Sequence, residues 1–364
     1  MKLLFLNWRD TSHPKAGGAE QLTENIAAEL VKHGHQITLL CPLFPGCQQQ
    51  ETKRGYHIIR RGNQLTVRFH AWRLWQNKFR QDKKAICVDQ FHGLPFFAPL
   101  YAHHHTLAFI HEVAGECWQY NFLFPFNIFG QLLEKFSFLL YSGTTFITVS
   151  ESTKNDLIRV GIFSDTISII PVTISVTPIS SPVFIKNNPI IISLNRIAPI
   201  KNITDTISAC LHLKKRIPDL QLWLVGSGQG RYFEQIKLLA AKHQDLITMH
   251  GFVSEQKKQE LLSQAKVLVT TSHKEGYGLN ILEAAAYGTP SIAYNVNGLR
   301  EAIINNQTGL LTKHNTPEDL ARQLEKILTN TKLHQKMAHA AWQRSYKFSL
   351  KNTVDSFESI LKQL

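Results

Sequence analysis

The chain has 364 residues, 43% of them hydrophobic and 18% charged, which excludes a disordered or fibrous protein and suits two α/β domains. Its formal net charge of +13 and isoelectric point near 9.5 point to polyanionic partners: nucleic acid, an anionic membrane surface or phosphorylated substrates. The five cysteines (Cys41, Cys47, Cys87, Cys117, Cys210) show no C-x-x-C pairing, which argues against a disulfide framework or a zinc site and for a reducing, cytosolic compartment.

The opening MKLLFLNWRD carries an apolar stretch too short for a signal-peptide core, and Leu3 to Asn7 reads as a first strand. AGGAE, Ala16 to Glu20, leads into a helix over 19–33, where Leu22, Ile26 and Leu30 recur at helical spacing and Gly34 stops the run. Further strands are expected at 36–40, 57–60, 85–88, 107–110 and 146–149. Ten basic residues lie between Lys53 and Lys84 against the single acid Asp82, interleaved with Tyr56, Phe69, Trp72, Trp75 and Phe79. Two readings of that region stay open: an interfacial helix on an anionic membrane surface, or a solvated helix whose aromatics enter the core. Nucleic acid is set aside, because no recognition motif accompanies the charge.

The apolar stretch from Gln119 to Tyr141 is broken by Pro125, Asn127, Gln131, Glu134 and Lys135, so it reads as a buried or interfacial helix and not as a membrane span. SESTKNDLIRVG after Val149 predicts a capped helix, followed by a strand at 167–170. The run from Val172 to Pro189, rich in Ser, Thr and Pro, is the linker candidate. A second alternating series follows, with strands at 190–194, 221–225, 247–250, 267–270 and 291–294 and amphipathic helices from Pro317 to the end. Alternation of this kind builds parallel sheets from βαβ units. The expected domains are 1–175 and 176–345, with 346–364 a helix that crosses back to the first.

The segment HKEGYGLNILEAAAYGTPSIAYN holds two glutamates seven residues apart around a glycine turn that leads from a strand into a helix over 279–287. Amides at such a helix start, Leu279 and Asn280 after Gly278, receive a diphosphate well, and Glu283 one turn on suits a ribose diol. The plainer alternative makes Glu275 a helix cap and Glu283 a solvated surface residue. Upstream, SLNRIAPIKN sets Arg196 and Lys201 at a strand's carboxyl end, where ligands bind in open α/β sheets. His103, His104 and His105 are consecutive and share no face, so no metal site is expected. GSGQG lies in mid-chain without the full dinucleotide fingerprint, which disfavours a nicotinamide dehydrogenase.

These motifs together resemble the retaining glycosyltransferases of family 4, glycosyl transferases group 1. Arg196 with Lys201 is similar to that family's Arg…Lys pair, LVGSGQG to its Gly-rich strand end, HGFVS with Val253 to its base-proximal loop, and EGYGLNILE to its most specific stretch. The resemblance implies the GT-B fold, two Rossmann-like doubly wound α/β domains facing across a cleft. It implies Gly17 and Gly18 near the donor phosphates, and His111 of FIHEVAGECWQY near the anomeric carbon, preceded by a DQFHGLPFF segment. His111, Arg196, Lys201 and Glu275 are the implied catalytic set, with Val253, Gly278, Leu279, Asn280 and Glu283 on the nucleotide sugar. The implied reaction moves a hexose-type sugar from a nucleoside-diphosphate sugar to a glycan or lipid-linked acceptor hydroxyl with retention, without cofactor or metal, in cell-surface polysaccharide or glycolipid synthesis. That enzyme would be cytoplasmic and peripheral on the inner face of the plasma membrane. A non-catalytic sugar-nucleotide-binding subunit and a sugar-nucleotide epimerase of the same fold are the alternatives. One departure stands out: Asn202 follows the lysine where the family commonly has Gly, and Asn tolerates the left-handed backbone such a loop needs.

Overall fold

A computed structural model describes every residue except Phe122 and Ser175, the latter at the expected domain boundary and outside the described residues. The chain forms two compact units, Met1–Ser175 with Ser349–Leu364, and Val176–Phe348.

The first unit runs β1 (Lys2–Leu6), α1 (Gly18–Lys32), β2 (Gln36–Cys41), β3 (Gln50–Lys53), β4 (Tyr56–Arg60), α2 (Val67–Lys78), β5 (Ile86–Gln90), α3 (Pro99–Ala102), β6 (Thr106–Ile110), α4 (Trp118–Asn121), α5 (Phe126–Leu139), β7 (Thr145–Thr148), α6 (Glu151–Arg159) and β8 (Ile167–Ile169). Its sheet has the order β3-β4-β2-β1-β5-β6-β7-β8, parallel except where β3 pairs antiparallel with β4. The β1 strand is apolar on both sides, as a strand covered by helices on both faces must be, with Leu3 to Leu6 fully buried. Right-handed crossovers that step the same way along the sheet, β4–α2–β5 and β6–α5–β7, put α2 and α5 on one face. On that face Leu4, Leu6 and Cys87 pack with Val67, Ala71 and Trp75 of α2, while Ala108 and Ile110 pack with Phe138 of α5.

The second unit runs β9 (Ile190–Leu194), α7 (Ile203–Lys214), β10 (Gln221–Val225), α8 (Arg231–Lys242), β11 (Ile247–Gly251), α9 (Glu255–Gln264), β12 (Val267–Thr270), α10 (Leu279–Ala286), β13 (Ser291–Ala293), α11 (Leu299–Ala302), β14 (Gly309–Leu311), α12 (Pro317–Thr329) and α13 (Thr331–Ser345). Its sheet is fully parallel in the order β11-β10-β9-β12-β13-β14. The last helix, α14 (Leu350–Leu361), belongs to the first unit. Phe357 stands 6.0 Å from both Phe5 and Phe109, and Glu358 binds His33 at 3.0 Å and His35 at 3.1 Å.

One expectation needs correction, and the two readings left open for the basic region are each met in part. The division between the units falls inside the segment expected as a linker, but its greater part, from Val176, is seated on the second unit: Ile179 donates its N–H to the Ala286 carbonyl and its own carbonyl accepts from Trp342 Nε1 at 2.8 Å. Lys186 is buried there, its ammonium held by the Ala265 carbonyl at 2.9 Å and Thr289 Oγ1 at 2.5 Å. The basic region is partly consumed by structure, since Arg60 is buried against Asp10 at 2.6 Å and Glu51 at 2.8 Å. Arg68 lies 4.7 Å over the Trp8 ring and donates to the Pro95 and Leu94 carbonyls. Finally, the aromatics of that region divide between the two readings, Trp75 and Phe79 entering the core and Phe69 and Trp72 staying exposed.

Candidate active site

In the second unit the strand order reverses between the parallel neighbours β9 and β12, the switch point at which the loops leaving the strand ends part and open a crevice. The loop after β9 turns through Asn195 and Arg196 into a 3₁₀ turn, Pro199–Lys201, and Asn202 caps α7 in the left-handed conformation, φ 47° and ψ 47°. Asn therefore supplies the backbone angle that the family's glycine would supply. The loop is pinned by Thr271 Oγ1, which donates to the Asn202 carbonyl at 2.7 Å, and by the Ile197 amide, which donates to Ser227 of the GSG loop at 2.8 Å.

From the other side of the switch point, the loop after β12 brings Glu275 to Lys201, Oε1 to Nζ at 2.5 Å, with Ser272 Oγ donating to the same oxygen at 2.6 Å. The glutamate is thus not a helix cap. Arg196 is exposed and makes no hydrogen bond or ion pair among the described residues. Gly278, left-handed at φ 79°, turns the chain into α10, so the amides of Leu279 and Asn280 open that helix without an intrahelical acceptor. The Asn280 side chain donates to the Leu194 carbonyl at 3.1 Å and ties the helix start to the end of β9. Glu283 is not a solvated residue either: its Oε1 is 3.1 Å from Lys258 Nζ, which also reaches Glu255 at 2.8 Å. Val253 lies in the loop between β11 and α9, next to Ser254, whose hydroxyl caps α9. Near the end of β11, His250 Nε2 is buried without a hydrogen-bond partner among the described residues.

The first unit has its own switch point, between β1 and β5. Gly17 precedes α1 after β1, its amide donating to the Glu20 carboxylate at 2.8 Å, and Gly18 is the first residue of the helix. His111 follows β6. Its Nε2 is 2.7 Å from Gln90 Nε2 at the end of β5, and Gln90 Oε1 is 2.7 Å from Thr23 Oγ1 on α1. With the Gln90 amide assigned as donor, the imidazole accepts on Nε2 and carries its proton on Nδ1. Burial, with His92 adding to it, pushes His111 down to about 4, so the ring is neutral at pH 7. The DQFHGLPFF segment is shaped by Asp89, which accepts from Tyr141 at 2.5 Å and from the Ala98 and Phe96 amides. Burial raises Asp89 to about 6 against those hydrogen bonds.

Three of the predicted donor-side residues thus make two contacts, Lys201 with Glu275 and Asn280 with the end of β9. Gln90, Thr23, Ser272 and Lys258 are the partners that sequence reasoning missed. Their only sequence signal is proximity to a motif: Ser272 stands three residues before Glu275 and Lys258 four after Ser254. Among the described residues no group of three His, Cys, Asp or Glu side chains could hold a metal ion, and no helix is long and apolar enough to cross a membrane.

Two family signatures cover most of the chain, Glycosyltransferase Family 4 over residues 16–177 and Glycosyl transferases group 1 over residues 179–344. The chain belongs to the family 4 type of GT-B glycosyltransferases. Among curated relatives it is 26% identical over 174 residues to the poly(glycerol-phosphate) α-glucosyltransferase of Bacillus subtilis (strain 168), covering 47% of this chain and 25% of the relative. It spans less than half the length of the other curated relatives it matches. Sucrose-phosphate synthase from Thermosynechococcus elongatus superposes with a TM-score of 0.81 at 18% identity, over 100% of this chain and 98% of that one. Anabaena HepE in complex with UDP-glucose superposes at 0.77 and 18% identity, over 100% of both chains. At that identity the likeness shows this GT-B glycosyltransferase's fold alone.

Proposed function

We propose that this protein transfers a hexose-type sugar from a nucleoside-diphosphate sugar to the hydroxyl of a glycan or lipid-linked acceptor, with retention, in cell-surface polysaccharide or glycolipid synthesis. The observation that carries the reading is the Lys201–Glu275 pair across the β9/β12 switch point, with the free guanidinium of Arg196 beside it in sequence and the open amides of α10 after it. A departing nucleoside diphosphate gains negative charge, and preorganised cations and helix-start amides stabilise it. Lys201 meets that charge while Glu275, relieved of part of the pairing, accepts hydrogen bonds from sugar hydroxyls. Glu283, steadied by Lys258, holds the ribose, and Val253 lies by the base. In the chemical step the bond from the anomeric carbon to the phosphate oxygen breaks and the bond to the acceptor oxygen forms on the same face. The acceptor's proton passes to the departing phosphate. Neutral His111 is assigned to the sugar being transferred and Gly17 and Gly18 to the phosphates.

The bound UDP-glucose of the Anabaena structure supports a nucleotide-sugar donor, and the wide spacing of the five cysteines, with no C-x-x-C pair, supports a reducing, cytoplasmic site of action. The test is nucleotide release with a panel of nucleotide sugars and glycan or lipid-linked acceptors. Arg196→Ala and Lys201→Ala should each lower the rate by about a hundredfold to a thousandfold, as loss of one preorganised charge partner does. A wild-type protein that binds a donor yet releases no nucleotide with any acceptor would sink the proposal and leave a binding subunit.

A further inference from the structure

The α5 helix turns its polarity inside out. Its buried side holds Gly130, Glu134, Ser137 and Phe138, while Phe126, Phe129, Leu132, Phe136 and Leu139 stand between 49% and 68% exposed. At about 100° per residue, the exposed apolar positions sweep roughly 160° of the helix, and the one charge near them is Lys135 at the edge of that arc. The inward polarity has its own explanation: the Glu134 carboxylate accepts from the Ala114 and Gly115 amides at 2.8 Å and from Trp118 Nε1 at 2.9 Å, clamping the loop after His111. The outward apolarity has none within the described chain. With Leu123 and Phe124 just ahead of the helix, 86% and 78% exposed, the patch reaches on the order of 1,000 Å², well above what a monomer ordinarily leaves bare.

We propose that this face is a membrane-docking surface, on which α5 lies in the plane of an anionic lipid monolayer with its phenyl and leucyl side chains in the acyl boundary. A second copy of the chain is the rival occupant, since the area equals one partner's share of a stable interface. Two observations favour lipid. Protein interfaces of that size carry on the order of ten hydrogen bonds; the exposed arc of α5 offers Phe, Leu and Ile, without a hydrogen-bonding atom. Secondly, α2 covers the same sheet face and exposes Phe69 and Trp72 beside the solvent-facing cations Arg73, Lys78 and Arg80, which complement anionic headgroups. The docking element is therefore α5, with α2 as its electrostatic flank, and the basic region 53–84 does not act by itself. None of this depends on the sugar-transfer reading.

The full chain is to be sedimented with vesicles of phosphatidylcholine alone and of phosphatidylcholine mixed with phosphatidylglycerol, beside Phe129→Ser/Phe136→Ser and Arg73→Glu/Arg80→Glu. Wild type should bind both, prefer the anionic ones, and stay bound in ~1 M NaCl, where the Debye length is about 3 Å. The Phe variant should partition at least about tenfold less, as two rings withdrawn from the acyl boundary imply, while its melting curve is unchanged because both side chains are exposed. The Arg variant should lose the anionic preference and keep the salt-resistant binding. Three outcomes would overturn the proposal: wild type left in the supernatant with both vesicles, a Phe variant that sediments like wild type, or a wild-type dimer in light scattering that the Phe variant dissociates.

Discussion

Glu275 is held in place by a residue that has no side chain. At Gly298, φ is +81° and a β-carbon would stand 2.2 Å from the Glu275 carbonyl oxygen, while the Glu275 amide donates to Asn297 at 3.3 Å. Gly298→Ala must therefore push back the strand-end loop that presents Glu275 to Lys201. A displacement of this order costs on the order of a hundredfold in rate, with a stability loss of about 1–3 kcal/mol for the strained backbone. Assaying nucleotide release beside a melting curve checks it, and an unchanged rate would detach Glu275 from the chemistry. At His111 the expectation concerns pH. The folded value near 4 lies below the ordinary 6.5, so the unfolded chain takes up a proton that the folded one refuses. Stability from this group is intact above about pH 6.5 and falls away toward pH 4. His111→Gln should flatten the acid limb of stability against pH by close to one proton, and Gln90→Leu should shift the ring tautomer seen by ¹⁵N NMR. The spacing of Glu275 and Glu283 on either side of a glycine turn is legible in the sequence because it is local. Their partners are not, since Lys201 is 74 residues from Glu275 and Lys258 25 from Glu283.

Elements divide by the strength of their apolar signal. Strands 190–194, 221–225 and 267–270 are found where the sequence puts them, since each is a short apolar run that both faces of a parallel sheet bury. Two strands escape it. The β3 sequence QETK is a half-exposed edge with no apolar residue, and β14 is three residues long. For α5 the periodicity is visible, but periodicity cannot tell which side of an amphipathic helix is buried, and here the polar side is. The closing helix α14 offers a direct test of packing. Phe357 is fully buried between Phe5 and Phe109, so Phe357→Ala should destabilise the first unit by about 3–5 kcal/mol. Burial opposes ionisation of Glu358, and His33 and His35 outweigh it, holding its carboxyl below the usual range. Hydrogen exchange should show the loss in β1 and β6 and spare β9 to β14; loss confined to the second unit would contradict the assignment of α14.

At the scale of the whole molecule, two units with separate sheets make a single melting temperature an incomplete description of stability. What distinguishes the units is chemistry. The paired Lys201 and Glu275, the exposed Arg196 and the open start of α10 all belong to the second, and a nucleoside diphosphate has both charge and hydrogen-bonding reason to bind there. A ligand that binds only the folded form at a hundred times its dissociation constant stabilises it by about 2.7 kcal/mol. That increment should be local. In hydrogen exchange with a nucleotide sugar, slowing is expected in the peptides that carry 195–202 and 272–283, and the base identity that gives the largest slowing names the donor. Arg196→Ala should weaken the protection at equal ligand concentration, because it removes an exposed cation without disturbing a described contact. Protection that appeared only in the β1 to β8 sheet, or survived Arg196→Ala and Lys201→Ala together, would move the donor out of the second unit and with it the role proposed for the β9/β12 switch point.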